Sequence, residues 1–261
     1  MENIKGKTIW ITGASSGLGE ALAAALARRG AKIILSGRNA EALSRVQVSV
    51  GESKVIVMDM EKPDTFEDKT REAISAFGQI DILIHNAGIA QNSPAQKTHP
   101  EIERKIMQID YFAPTELTRC VVPHFMERKS GRIVVISGLL AYVNLPGRSS
   151  YSAAKAALVG YFGCLRAELQ NYNIGVSVIV PGSLQTDLVN KALSGDGSVT
   201  DKKRAIGGFP LIKAADQIVK VIRTGKNQSY IGGKKEFYMW KLSGLYPDFM
   251  IKKILKMSSQ R

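Results

Sequence analysis

Tyr151 and Lys155 stand four residues apart in the run YSAAKAAL, a spacing that sets both side chains on one face of a helix. A phenol beside an ammonium can give a proton to a carbonyl oxygen during reduction, or take one from an alcohol during oxidation. A free phenol, with a pKa of about 10, is a poor base at neutral pH. The ammonium is therefore expected to lower it toward the working range. A second chemical feature lies near the start of the chain, at Thr12-Gly13-Ala14-Ser15-Ser16-Gly17-Leu18-Gly19, between an apolar run and an Ala-rich one. Glycines in such a turn let backbone amides and a helix N-terminus approach a pyrophosphate with no Cβ in the way. The spacing G-x-x-x-G-x-G differs from the commoner G-x-G-x-x-G.

Both features need a frame, and the hydrophobic pattern predicts one. Thr8–Thr12, Lys32–Ser36, Lys54–Asp59, Ile80–His85, Arg132–Ser137 and Gly175–Val180 are short, β-branched and almost wholly apolar, as strands covered on both faces should be. Ser229–Ile231 offers a last strand. Helix-length segments fall between them at Gly17–Arg29, Ala40–Val48, Pro63–Phe77, Glu101–Arg128 and Tyr151–Tyr172. Strand and helix in alternation imply right-handed βαβ crossovers. The expected fold is one Rossmann-like, doubly wound α/β domain with a mostly parallel sheet of about seven strands and helices on both faces. Its boundaries are read as 1–235, with a substrate loop at 183–212, followed by a basic amphipathic tail at 236–261.

Composition narrows the field. The chain has 261 residues, 44% hydrophobic and 23% charged, values that exclude disordered and fibrous classes. Two cysteines, Cys120 and Cys164, cannot form a disulfide framework and are read as buried thiols in a reducing, cytoplasmic compartment. The start MENIKGKTIW leaves no room for a signal segment, and the apolar runs fall far short of a membrane span. The formal charge of +13 favours anionic ligands, yet the basic residues form no recognition helix or zinc spacing. Nucleic acid is therefore not expected as a partner, nor is a metal site at His85, His99 or His124.

With the motifs in order, the sequence resembles the short-chain dehydrogenase/reductase family over nearly its whole length, most closely the branch of the member seven proteins. Thr12–Gly19 matches T-G-x-x-x-G-x-G, Asn86-Ala87-Gly88 matches N-A-G, Tyr151 and Lys155 match Y-x-x-x-K, and Pro181-Gly182 with Thr186 matches P-G-x-x-x-T. The resemblance implies a nicotinamide cofactor held by Gly13, Ser15, Ser16, Gly17, Leu18, Gly19, Arg38, Asp59, Met60, Asn86, Ala87, Gly88, Tyr151, Lys155, Pro181, Gly182 and Thr186. It assigns Tyr151 as acid/base and Lys155 as the residue that tunes it, and implies a homodimer or homotetramer. Gly37-Arg38 ends the second strand where an acid would repel a 2′-phosphate. A guanidinium there favours NADP(H) over NAD(H), although Ser16 stands where some NADP-preferring relatives carry a second basic residue.

Two catalytic positions depart from the family pattern. The substrate-orienting Ser falls at Gly138, thirteen residues before Tyr151, and the Asn of M-x-x-N falls at Asp110 in MQID. Ser137, Tyr142, Asn144 and Ser183 are the replacement donors to consider. An acid at 110 could pair Lys155 and raise its pKa. The expected activity is hydride transfer between NADP(H) and a carbonyl or secondary alcohol. Leu184, Leu188, Val189, Leu193, Phe209, Pro210 and Leu211 suggest an apolar substrate. The alternative is a catalytically weak NADP-binding protein with a regulatory or scaffolding role. In the tail, Met250, Ile251, Ile254 and Leu255 are read as one apolar face with lysines elsewhere. That face would pack on the domain or a partner subunit, with peripheral membrane contact as the second reading.

Overall fold

A computed structural model describes residues 3–199 and 207–258. Residues 200–206 of the expected substrate loop, and 259–261 of the expected tail, lie outside the described residues. The chain runs β1 (Thr8–Thr12), α1 (Gly17–Ala27), β2 (Lys32–Gly37), α2 (Ala40–Val50), β3 (Ser53–Val57), α3 (Phe66–Phe77), β4 (Ile82–His85), α4 (Pro100–Met107) and α5 (Ala113–Arg128). It continues through β5 (Gly131–Ile136), α6 (Ser149–Glu168), β6 (Ile174–Pro181), α7 (Leu211–Thr224), β7 (Gln228–Ile231), α8 (Lys234–Leu245) and α9 (Pro247–Ser258).

Seven strands form one sheet in the order β3-β2-β1-β4-β5-β6-β7, with every pairing parallel. Alternating side chains face opposite layers. Ile9, Ile11, Ile33, Leu35 and Ile84 pack with Leu22 and Leu26 of α1, Val46 of α2 and Ile218 and Ile222 of α7. Trp10, Ile34, Leu83 and Val135 meet Phe66 of α3, Leu117 and Phe125 of α5 and Phe162 of α6. The strand order reverses between β1 and β4, so their carboxyl ends part into a crevice. The buried carboxylate of Asp81 ties the other end, accepting from the Thr8 amide and pairing with Arg128 and Lys7. Burial alone would raise this acid, but those partners hold it below the usual range.

Three expectations change. The helix read across Glu101–Arg128 divides into α4, a wide turn at Gln108–Phe112 and α5. Pro114 has no amide to return to the carbonyl of residue 110, so the ladder opens there. Cys164 is exposed and Cys120 half-buried, not both buried. The apolar residues of the tail also divide between two surroundings. Met250 is buried among Leu139, Val143 and α8, and Ile254 leans on the same cluster, whereas Ile251 and Leu255 are exposed. Among the described residues, no helix is long and apolar enough to cross a membrane, and no cluster of His, Cys, Asp and Glu could hold a metal ion.

Candidate active site

At the crevice, the turn after β1 is drawn tight by its own glycines. Gly13 has φ +66°, and a Cβ there would meet the Ala87 backbone at 2.7 Å. A Cβ on Gly19 would strike the Gly13 carbonyl. Asn86 fastens the turn from β4: its amide nitrogen Nδ2 donates to the carbonyls of Thr12 and Gly13 at 3.1 and 3.0 Å. The Thr12 hydroxyl in turn accepts from the Asn86 and Ala87 amides, both at 3.1 Å. Gly17, with φ +60°, is different. A Cβ there would stand 3.7 Å from the Thr186 side chain, so its lack leaves a slot beneath the loop after β6. Ser16 caps α1 in backbone conformation only, with no side-chain hydrogen bond. The first-turn amides of α1 therefore point toward that slot without a side-chain acceptor, an arrangement suited to an anion. The residues fit the pyrophosphate of a dinucleotide.

Two guanidiniums stand after β2. Arg38 is exposed and lies 3.5 Å from Glu61, which also pairs with Lys105 at 3.1 Å. Arg45, unanticipated in the sequence, reaches from α2 to the Ser15 carbonyl at 3.4 Å. Its signal was its position two helical turns after Arg38, beside the turn where Ser16 replaces a basic residue. Asp59 accepts from the Glu61 amide at 3.1 Å, and Met60 is buried behind it. His85 is buried against Thr118 at 2.8 Å, and burial drives its imidazole down to about 3, so it is neutral.

Tyr151 and Lys155 share the inner face of α6. The Lys155 ammonium lies 5.5 Å from the Tyr151 ring centre and donates to the Ile136 carbonyl at 3.3 Å. Its chief partner is Asp110, wholly buried, with a carboxylate oxygen at 3.1 Å; the other oxygen accepts from the Ile89 amide at 2.8 Å. Burial alone would lower Lys155, but Asp110 and Tyr151 together more than offset this and hold the ammonium above its ordinary range. Burial lifts Asp110 as well. Gly88 lies over the pair: a Cβ there would be 3.1 Å from Asp110 and 3.2 Å from Lys155.

Burial overturns one expectation. Burial raises the Tyr151 phenol, Lys155 pulls it down, Asp110 pushes it back up, and the result lies above the ordinary value, not below it. The carboxylate at 110 opposes the ammonium's influence. Gly138 faces the phenol in extended backbone (φ 179°), and a Cβ there would stand 3.8 Å from the Tyr151 hydroxyl.

Two of the replacement donors, Ser137 and Tyr142, are engaged elsewhere. The Ser137 hydroxyl donates to the Lys155 carbonyl at 2.8 Å, Tyr142 is bonded to Gln228, and Asn144 is exposed. Ser183 gives its amide to Glu236 at 3.1 Å. Much of the loop's apolarity serves the core. Leu184, Phe209 and Leu211 pack on the sheet, and Leu193 on α4. Val189 is exposed. Glu236, whose carboxylate meets both Ser183 and Tyr230, also went unread; the one signal was a lone acid in KKEFYMWK.

Comparison with known proteins agrees with this geometry. Residues 7–196 match the family model described as short chain dehydrogenase. Dehydrogenase/reductase SDR family member 7B of Mus musculus is 38% identical over 215 residues, covering 78% of this chain and 67% of its own. A short-chain dehydrogenase from Streptomyces avermitilis superposes with a TM-score of 0.81 at 26% identity, covering 97% of this chain and 98% of that one. A short chain dehydrogenase from Burkholderia cenocepacia J2315, solved in complex with NADP, gives 0.82 at 25% identity, covering 97% and 99%.

Proposed function

Since the chain belongs to the short-chain dehydrogenase/reductase family, in the branch of its member 7 proteins, we propose that it uses NADPH to reduce the carbonyl of a small molecule to an alcohol. The observation that carries this reading is the Tyr151 hydroxyl beside the open space at Gly138, with the buried Lys155 ammonium 5.5 Å from its ring. Burial raises the phenol and Asp110 partly offsets the ammonium that would lower it, so Tyr151 stays protonated at neutral pH, as a proton donor requires. A dinucleotide held at the Gly13–Gly19 turn and the start of α1 would supply a hydride for the carbonyl carbon. Tyr151 gives its proton to the carbonyl oxygen, and Lys155, fixed by Asp110 and the Ile136 carbonyl, sets the field around that oxygen. Gly138 contributes no hydrogen bond to it, so the intrinsic rate is low. Absorbance of NADPH across a panel of ketones and aldehydes tests the reading: oxidation with at least one carbonyl supports it, and none across the panel contradicts it.

Cofactor preference rests on Arg38, with Arg45 beside the same turn. The Arg38–Glu61 pair is exposed and weak, so a 2′-phosphate can take the guanidinium from it. A charge-assisted hydrogen bond contributes about 1.5–3 kcal/mol, so NADPH is expected to bind about 10- to 100-fold more tightly than NADH. Arg38→Glu should erase that preference in a fluorescence titration, and equal affinities in the parent would refute it. The expected oligomer belongs to this proposal, with the exposed small residues Ala153, Ala156 and Gly160 of α6 allowing a close helix approach.

A second reading, a weakly catalytic NADP-binding regulator or scaffold, is favoured by Gly138, Asp110 and the engaged donors around them. Tight NADPH binding without turnover on any carbonyl would select it.

A further inference from the structure

The carboxyl end of β6 is held by a side chain that no catalytic motif contains. β6 ends at Pro181, and the Gly182 amide donates to the Ile231 carbonyl of β7 at 2.8 Å. The next amide, that of Ser183, donates to both carboxylate oxygens of Glu236 on α8, at 3.2 and 3.1 Å. One of those oxygens also accepts from the Tyr230 hydroxyl at 3.1 Å, a proton shared with the Gly233 carbonyl. The pair leaves no room for a side chain at 182, where a Cβ would strike Glu236 and lie 2.5 Å from the Tyr230 oxygen. At Gly232 a Cβ would meet the same oxygen, also at 2.5 Å.

α8 is in turn fixed to the catalytic end. Trp240 stacks on Tyr230 with ring centres 6.0 Å apart and meets Tyr142 edge-on at 6.1 Å. Tyr142 follows Gly138 by four residues and is bonded to Gln228 of β7. Burial and the nearby Glu236 carboxylate push the Tyr230 phenol far above its usual range, so it stays a donor.

We propose that Glu236 is a positioning residue whose carboxylate pins the Pro181–Ser183 segment, making α8 part of the wall against which the cofactor's reactive end lies. The proposal rests on the cofactor reading above for its functional consequence, but the pin itself is a property of the cofactor-free protein. Loss of Glu236 frees the Ser183 amide and lets the Gly182 segment move. The cofactor then binds less tightly, while the proton donor on α6 is untouched.

The test compares the parent with Glu236→Ala and Glu236→Gln by hydrogen exchange on the free protein and by NADPH titration. In Glu236→Ala, exchange at the Ser183 amide should rise about tenfold, and the NADPH dissociation constant and KM should rise by a similar factor. The turnover number at saturating NADPH should change far less. Glu236→Gln keeps an acceptor oxygen and should recover most of both effects. Tyr230→Phe, which leaves the ring stack and the Ser183–Glu236 bonds, should give exchange at Ser183 close to the parent's; it serves as the folded comparison if the Ala variant unfolds. Unchanged exchange in Glu236→Ala, a parent-like NADPH affinity there, or a Gln variant no better than Ala overturns the proposal. Should the parent bind no NADPH, the cofactor reading fails, and the exchange data alone decide whether the pin exists.

Discussion

Tyr151→Phe should lower NADPH-dependent carbonyl reduction by about 10²- to 10⁴-fold, the usual contribution of a positioned proton donor. The substitution removes one oxygen from a ring that stays packed beside Lys155, so cofactor affinity and melting temperature should remain near the parent's. The pH profile carries the finer test. Reduction requires the protonated phenol, and burial holds that phenol above its ordinary value. The rate should therefore be flat through neutral pH and fall only as pH rises through the elevated phenol pKa. Asp110→Asn removes the negative charge that offsets Lys155, so the ammonium acts on the phenol unopposed and the alkaline limb should move to lower pH. A Tyr151→Phe enzyme as fast as the parent, or an Asp110→Asn profile with its limb displaced upward, would contradict the assignment.

Gly138→Ser should act in the other direction. The backbone at 138 is extended and accepts any residue, and the nearest atoms to a new Cβ are the Tyr151 hydroxyl at 3.8 Å and the Leu140 amide at 4.0 Å. The serine hydroxyl thus enters the space where a carbonyl oxygen must lie to receive the Tyr151 proton, with nothing displaced. One preorganised donor to such an oxygen contributes about 10²–10³ in rate. A gain of that order in kcat/KM on small ketones is expected, and it should vanish in the Gly138→Ser/Tyr151→Phe double variant. An unchanged or slower Gly138→Ser enzyme would mean that the oxygen is already held by another group.

Much of the frame was legible because buried parallel strands declare themselves: β1, β2 and β4 are β-branched runs with no polar face to place. Ser137 and Gly138 lie just past the end of β5, where strand alternation no longer assigns their side chains. Ser137 turns toward α6 and bonds the Lys155 backbone, leaving Gly138 toward the phenol. The site's electrostatics were harder to read. Y-x-x-x-K alone argues for a lowered phenol pKa; the reverse follows from the burial of Tyr151, which spacing does not show, and from Asp110, brought beside Lys155 by a wide turn inside what reads as one continuous helix. Pairings across long separations leave no local trace. Glu236 meets Ser183 from fifty-three residues away, and the loop leucines looked like substrate lining until their contacts with the sheet and α4 were seen. Cys164 and Ile251 show the same limit for helices, where periodicity gives a face but not what covers it.

The central claim is that a protonated Tyr151, backed by Lys155 and Asp110, stands beside the reactive ring of a bound nicotinamide dinucleotide. A crystal structure of the protein soaked with NADP tests it most directly. The pyrophosphate is expected at Gly17 and the start of α1, and the nicotinamide close enough to Tyr151 for a carbonyl between them to lie about 3–3.5 Å from each reacting group. A crevice closed to the dinucleotide, or a ring bound on the far side of Gly138 from that hydroxyl, would contradict it.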